Sequence, residues 1–329
     1  MRILLSRVKR GVIGDLKRDN FLWHQPCFLT KNMRLQRTLK QEITFSGIGL
    51  HTGRLSSVTV RPAPRDTGII FHRTDRPMVI RAHIGAVTDT AFATTLGNGT
   101  VKIRTVEHIL AVLVGLGLDN VIIEADGPEI PILDGSSTEL VSILLKAGIA
   151  KQGKKRPYMR ITKPISMSES HSEVAIFPYD GRKITYRIHF NHHLLGEQNI
   201  SLDLNEETFI KEIAPARTFG FLKDVEYMMA QGLAKGGSLN NAIILTDKGV
   251  INSSGLRFKD EFVRHKVLDL IGDFSLIGFP IYGHIVANKS GHSNNLKFMK
   301  KLLTCPECWE IVSEPVVSET EYPQALSYL

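Results

Sequence analysis

The residues best placed to do chemistry lie in the run Arg264-His265-Lys266-Val267-Leu268-Asp269-Leu270-Ile271-Gly272-Asp273. Val263, Val267, Leu270, Ile271 and Phe274 recur at helical spacing, with Phe262 and Phe258 about one and two turns before His265. The spacing predicts a helix from Phe258 onward. On it His265, Asp269 and Asp273 fall at i, i+4 and i+8 along one stripe. The two Phe extend that stripe, which predicts that it faces inward. A buried His beside two carboxylates needs a compensating charge, because unpaired buried charge is expensive. A divalent metal held by His265 and Asp269, one turn apart, would supply it. A plain His–Asp hydrogen bond accounts for the same two residues, so the helix alone does not define a metal site. Asp260 and Arg264, also four apart, read as a solvated salt bridge.

A second pair is Glu107-His108, at the mouth of an apolar helix that stops at Gly115 and Gly117, with Thr105 as its expected N-cap. The helix dipole favours a carboxylate in the first turn. The pair suits a third metal ligand with a neighbouring base. A first-turn acid and a capping or core His is the plainer reading. Two further stretches, Ala216-Arg217-Thr218-Phe219-Gly220-Phe221 and Lys289-Ser290-Gly291-His292-Ser293-Asn294-Asn295, place Thr218 and His292 in loops beside Gly. Reactive groups concentrate in such loops.

The elements that must hold these groups read as strands, then helix, strand and helix, twice over. In the first half strands are expected at 36–48, 55–61, 68–72, 79–83, 101–104 and 121–124, and helices from 105 and over 138–147. Gly47-Ile48-Gly49-Leu50-His51-Thr52-Gly53 is a glycine-rich loop without the Walker or dinucleotide spacing. The polar, basic stretch 151–157 is the best linker. In the second half strands are expected at 159–161, 173–177, 183–190, 199–203, 242–245, 249–252 and 281–287. Helices are expected at 206–213, 225–231, from 258, and over 295–303. This predicts an α+β fold of two like domains.

The 329 residues can bury a large core, and 43% hydrophobic with 22% charged residues is a globular composition. Of the net charge of +8, residues 1–32 carry +5, from seven Lys/Arg against two Asp. The remainder is mildly basic, which argues against a dedicated nucleic-acid surface and suits an anionic small substrate. Three cysteines (Cys27, Cys305, Cys308) make no disulfide framework, and one CxxC at 305–308 is no structural zinc site. A reducing compartment, the cytoplasm, is expected. No stretch reads as a membrane span, and the basic start lacks the apolar core of a secretion signal. Residues 1–33 read as a disordered extension, with Met33 as an alternative start.

Together the motifs resemble the UDP-3-O-acyl-N-acetylglucosamine deacetylase family, zinc amidases that commit the lipid A pathway of lipopolysaccharide synthesis in Gram-negative bacteria. Thr-Val-Glu-His at 105–108, Ala-Arg-Thr-Phe-Gly-Phe at 216–221, the long run 255–273 and Lys-Ser-Gly-His-Ser-Asn-Asn at 289–295 carry the resemblance. Gly-Ile-Gly-Leu-His-Thr-Gly at 47–53 and Glu-Ile-Pro-Ile-Leu-Asp-Gly-Ser at 129–136 accompany them. It covers about residues 36 to 303, in matching order.

The resemblance implies two domains, 34–153 and 158–303, each a sheet layered with helices. The helices pack between the two sheets, the metal sits at the junction, and residues 304–329 form a tail. It implies His108, His265 and Asp269 as ligands of one Zn2+, with Fe2+ as the other candidate ion, and a fourth position open to water. Glu107 becomes the general base. Thr218 becomes an oxyanion donor, His292 an acid and oxyanion stabiliser, and Asp273 the group that orients His292 and keeps it cationic. Lys266, expected off the ligand stripe, and Lys289 become cations for the diphosphate. Phe219 becomes a stacking face. The acyl groove falls to a βαβ insert at roughly 219–245, where Phe221, Leu222, Val225, Met228 and Met229 fit a lining, with Leu50 opposite. A monomer acting on a UDP-linked acylated amino sugar is expected. The competing readings are another zinc amidase, which the absence of His-Glu-x-x-His separates from zincins, and a non-enzymatic basic binding protein acting through residues 1–32.

Overall fold

The computed structural model describes residues 33–190, 192 and 195–313. The extension expected at 1–32 and the tail from residue 314 lie outside the described residues. Met33, assigned to the extension from the sequence, is buried against Tyr158 and Val312.

The chain forms a mixed α and β fold with several sheets. One sheet has five strands in the order Ile43–Ile48, Leu55–Pro62, Val121–Ala125, Ile69–Arg73, Met78–Arg81. A second has seven. In it Ile281–Asn288 runs antiparallel to Ser172–Phe177 and parallel to both Tyr158–Ile161 and Arg182–His189. Ile165–Glu169, Glu197–Asp203 and Trp309–Val312 complete it. Alternation of apolar and polar residues gives these strands one buried face, as Arg182–His189 illustrates with Ile184, Tyr186 and Ile188 all buried.

Six α-helices occur among the described residues: α1 (Glu107–Leu116), α2 (Thr138–Ala147), α3 (Glu206–Thr208), which continues as a π-helical turn to Ile213, α4 (Leu222–Ala230), α5 (Glu261–Phe274) and α6 (His292–Leu303). α1 is apolar on all sides and almost wholly buried, as a central helix must be, and Gly117 ends it in the left-handed region at φ 65°. α5 packs on α1, α6 and the strands Arg182–His189 and Glu197–Asp203, while α2 packs on α1 and Ile43–Ile48. Gly272 makes the α1–α5 approach close. A Cβ there would overlap the Glu107 carbonyl oxygen. The buried apolar side chains from Leu39 to Leu302 form one continuous cluster around this pair.

Several expectations are corrected. The strand expected at 36–48 is two strands in different sheets, Leu35–Leu39 and Ile43–Ile48, because Lys40, Gln41 and Glu42 are exposed and carry a bend. The linker expected at 151–157 is mostly a strand, Ile149–Lys155, antiparallel to Leu35–Leu39. A two-stranded surface ladder needs no apolar alternation, so composition hid it. The helix expected from Phe258 starts at Glu261, and Phe258 lies outside it with the Arg264 guanidinium 4.4 Å from its ring. The Arg264–Asp260 pair exists at 2.7 Å, but Arg264 is only 14% exposed and also binds Glu212, so it is not a solvated pair. Thr105 is no N-cap. It sits at φ 58°, and its hydroxyl donates to Glu129 instead. Cys305 and Cys308 flank a short turn leading into Trp309–Val312, which extends the sheet beside Tyr158–Ile161.

Candidate active site

The first turn of α1 and the middle of α5 face each other across the Gly272 contact. α1 brings Glu107 and His108, and α5 brings His265, Asp269 and Asp273, all buried. Ligand atoms of His108, His265 and Asp269 lie within 4.8 Å of one another. Asp269 Oδ1 is 3.4 Å from His265 Nε2 and 3.9 Å from His108 Nε2. The imidazole rings meet edge-on at 5.1 Å. His265 Nδ1 is 3.1 Å from the Ala216 carbonyl, and a proton there turns the Nε2 lone pair toward the other two donors. His108 Nδ1 has no hydrogen-bond partner among the described residues.

The electrostatics suit ligation. Burial, with His265 nearby, pulls His108 down to about 3, and burial also lowers His265, so both stay neutral and keep a lone pair. Burial alone would raise Asp269, but Lys266 and the neighbouring histidines outweigh it and hold the carboxylate ionised. The Lys266 Nζ donates to Asp269 Oδ2 at 2.8 Å. The sequence places Lys266 near the site but off the ligand stripe, and it does line the cleft. Its flexible stem brings the ammonium back onto Asp269, three residues on, where a buried carboxylate attracts it.

His292 does not sit in a loop. It is the first residue of α6, after Gly291 as N-cap. A cation at a helix N-terminus is disfavoured, and Asp273 compensates. The Asp273 Oδ2 lies 2.8 Å from His292 Nδ1. Burial pulls the His292 imidazolium down, but Asp273, then Glu107 and Asp269, raise it to about 9. Its other nitrogen, Nε2, is 3.8 Å from Glu107 Oε1. Burial raises Glu107 to about 8, with His292 opposing and Asp269 and Asp273 adding.

The sequence reading assigned no role to Thr94, which joins these groups. Its amide donates to Glu107 Oε2 at 3.0 Å, and its hydroxyl donates to Asp273 Oδ1 at 2.6 Å. Asn295 donates to Asp273 Oδ2 and accepts from the Ser290 hydroxyl, and Tyr186 donates to the Ser290 carbonyl, so the Ser290–His292 turn is held from three sides. The only sequence signal for Asn295 was its place in the 289–295 motif. Glu129 was also missed. It is buried and accepts from the amides of His51 and Thr52 and from Thr105, fixing the glycine-rich loop. His51 projects from that loop and is buried.

A cleft of about 640 Å3 opens over this centre. It is lined by Glu107, His108, His265, Lys266, Asp269 and His292, and by Thr218, Phe219, Lys289, Leu50 and Met228. Asp273 stands behind it. Phe219 is edge-on to Phe262 at 4.9 Å and to His265 at 6.3 Å. The strand Phe219–Phe221 pairs in parallel with Ile243–Thr246, with α4 between them. On α4 the cleft meets Asp224, Tyr227 and Met228, following Phe221, rather than Leu222, Val225 and Met229. Leu222, Tyr227 and Met229 are exposed, and Val225 and Met228 are half-buried.

Residues 36–304 match the family model for UDP-3-O-acyl N-acetylglycosamine deacetylase. Relatives bearing the name UDP-3-O-acyl-N-acetylglucosamine deacetylase include one from Thermodesulfovibrio yellowstonii, 53% identical over 86% of this chain and 96% of its own length. One from Syntrophus aciditrophicus is 51% identical over 85% and 90%. One from Histophilus somni is 48% identical over 84% and 93%. Buried neutral imidazoles, an ionised carboxylate and a nearby acid–base pair are the parts of a metal-dependent hydrolase. The chain belongs to the UDP-3-O-acyl-N-acetylglucosamine deacetylase family.

Proposed function

We propose that this chain hydrolyses the N-acetyl group of UDP-3-O-acyl-N-acetylglucosamine to give UDP-3-O-acyl-glucosamine and acetate, the deacetylation step of lipid A biosynthesis. One observation carries the reading: three mutually unbonded donors, His108, His265 and Asp269, share a cleft wall with Glu107 and His292.

The donor set fits Zn2+. His265 and His108 stand 3.4 and 3.9 Å from the same Asp269 oxygen, so the three side chains would hold one shared ion. Two histidines and a carboxylate suit Zn2+, with Fe2+ as the alternative ion. When bound, the ion supplies Lewis acidity and a lowered pKa for water.

The chain's own groups do the rest. Glu107, fixed by the Thr94 amide, takes the proton from the attacking water. A cation on the three donors would draw the Glu107 pKa down from its raised value and favour the basic form. His292, held cationic by Asp273, faces the developing oxyanion and protonates the leaving amine. The Thr218 hydroxyl has no hydrogen-bond partner among the described residues and serves as a further donor. Lys289, whose ammonium makes no ion pair among the described residues, and Lys266 supply positive charge for the diphosphate. Phe219, Leu50 and Met228 take the sugar and acyl chain.

His108 lies in the first half of the chain, and His265 and Asp269 lie in the second. This supports two domains, 34–153 and 158–303, with the metal at their junction and 219–245 as an insert. No described helix is long and apolar enough to cross a membrane, and a nucleotide-linked substrate suits the cytoplasm. The test is acetate release from UDP-3-O-acyl-N-acetylglucosamine by the wild type and by Glu107→Ala. Turnover by the wild type alone is expected. Equal turnover by both would remove Glu107 from the mechanism.

A further inference from the structure

A second cleft, of about 310 Å3, opens at the C-terminal ends of α1 and α5, away from the metal donors. This is at the small end of the roughly 300–1,000 Å3 range of ligand pockets. Its wall is apolar: Leu113, Leu270, Ile271 and Phe274 are all buried. Its charge is one-sided. Arg34, Arg81, Arg156, Arg182 and Lys183 line it against a single carboxylate, Asp119. That carboxylate is already taken by Arg34, at 2.6 and 2.7 Å, and by Arg156 at 3.0 Å. Arg156 also donates to the Gly278 carbonyl. Asp119 and this carbonyl account for Arg34 and Arg156, and Lys183 lies over the Tyr179 ring at 5.7 Å, which leaves Arg182 and Arg81 over. The Arg182 guanidinium makes no hydrogen bond or ion pair with any described residue. Burial lowers it to about 10, which leaves it charged at neutral pH. Arg182 is half-buried, and a guanidinium without a carboxylate partner beside an apolar wall favours an anion.

We propose that this cleft binds a single-chain amphiphile with an anionic head, a fatty-acyl carboxylate or an alkyl phosphate. The head meets Arg182, with Arg81 at the rim, and the chain lies along the apolar wall. Residues 1–32 are a poor occupant by charge, since they carry +5 themselves. The inference does not depend on the proposed deacetylation.

The experiment is isothermal titration of the zinc-loaded full-length protein with dodecyl phosphate and, separately, dodecanoate. Dodecanol serves as the neutral control. The proposal predicts saturable binding of at least one anionic probe. It predicts that Arg182→Gln weakens this on the order of tenfold, that Arg81→Ala weakens it less, and that deacetylase turnover is unchanged in both. Should Arg182→Gln fail to fold, Arg81→Ala carries the test. Phe219→Ala, in the catalytic cleft, leaves the binding in place. Four results would overturn the proposal: no binding tighter than about 1 mM, equal affinity for dodecanol, indifference to both arginine substitutions, or complete loss in Phe219→Ala.

Discussion

Gly272 of α5 lies directly against the backbone of Glu107 on α1, so close that a Cβ would overlap the Glu107 carbonyl oxygen. This contact sets how near the His265–Asp269 stripe comes to Glu107 and His108. Gly272→Ala must push the two backbones apart. Overpacking of this kind costs about 1–3 kcal/mol. The variant is therefore expected to melt lower and to bind zinc more weakly, both readable by calorimetry and metal analysis. Wild-type zinc affinity in a folded Gly272→Ala protein would show that the approach does not set the donor spacing.

Glu107→Ala removes the proposed base and no ligand. Turnover is expected to fall by roughly 10^2–10^4 while zinc stays bound. Loss of zinc in this variant would make Glu107 a ligand.

His265→Ala removes one of three donors, and His265 is the one whose Nδ1 is fixed by the Ala216 carbonyl. Both metal and activity are expected to go. Retention of stoichiometric zinc would contradict the ligand set.

Asp273 raises His292 to about 9 against the pull of burial. A general acid works only while protonated, so activity should fall as pH rises through the His292 value. Asp273→Asn lowers that value, so the alkaline limb of the pH–rate profile should move to lower pH. Turnover should drop by roughly a hundredfold. An unmoved alkaline limb would separate His292 from that limb.

Asp134, which is not one of the metal donors, offers a stability test. Burial would raise its pKa, but Arg257 at 2.8 Å and the Ser136 hydroxyl and amide outweigh it, and the net shift is downward. A carboxyl whose folded pKa is depressed adds stability above its unfolded value of about 3.9 and loses it as pH falls through the folded value. Asp134→Asn should cost about 1–2 kcal/mol at pH 7 and less at about pH 3, below the unfolded value. Denaturant titrations at the two pH values would read the difference, and an equal cost at both would contradict it.

Helical periodicity made the site partly legible. The i, i+4, i+8 spacing put His265, Asp269 and Asp273 on one face, and their shared burial follows from it. What pairs with that face was not legible from spacing. Gly272 matters only because Glu107, far away in sequence, lies opposite. Thr94 acts through its amide on Glu107 as well as its hydroxyl on Asp273, and a backbone donor leaves no mark in residue type. Lys266 was read from its position beside His265, whereas the buried charge of Asp269 decides where its ammonium goes. In the fold, strands with an apolar face were legible. The ladder of Leu35–Leu39 with Ile149–Lys155 was not, because its residues alternate little and its pairing joins two ends of one half.

The central claim is that His108, His265 and Asp269 hold one zinc that the deacetylation needs. The most direct measurement is acetate release from UDP-3-O-acyl-N-acetylglucosamine, with metal content determined on the same sample. Activity should vanish on chelation and return with about one zinc per chain. Turnover that persists in demonstrably metal-free protein would contradict the account.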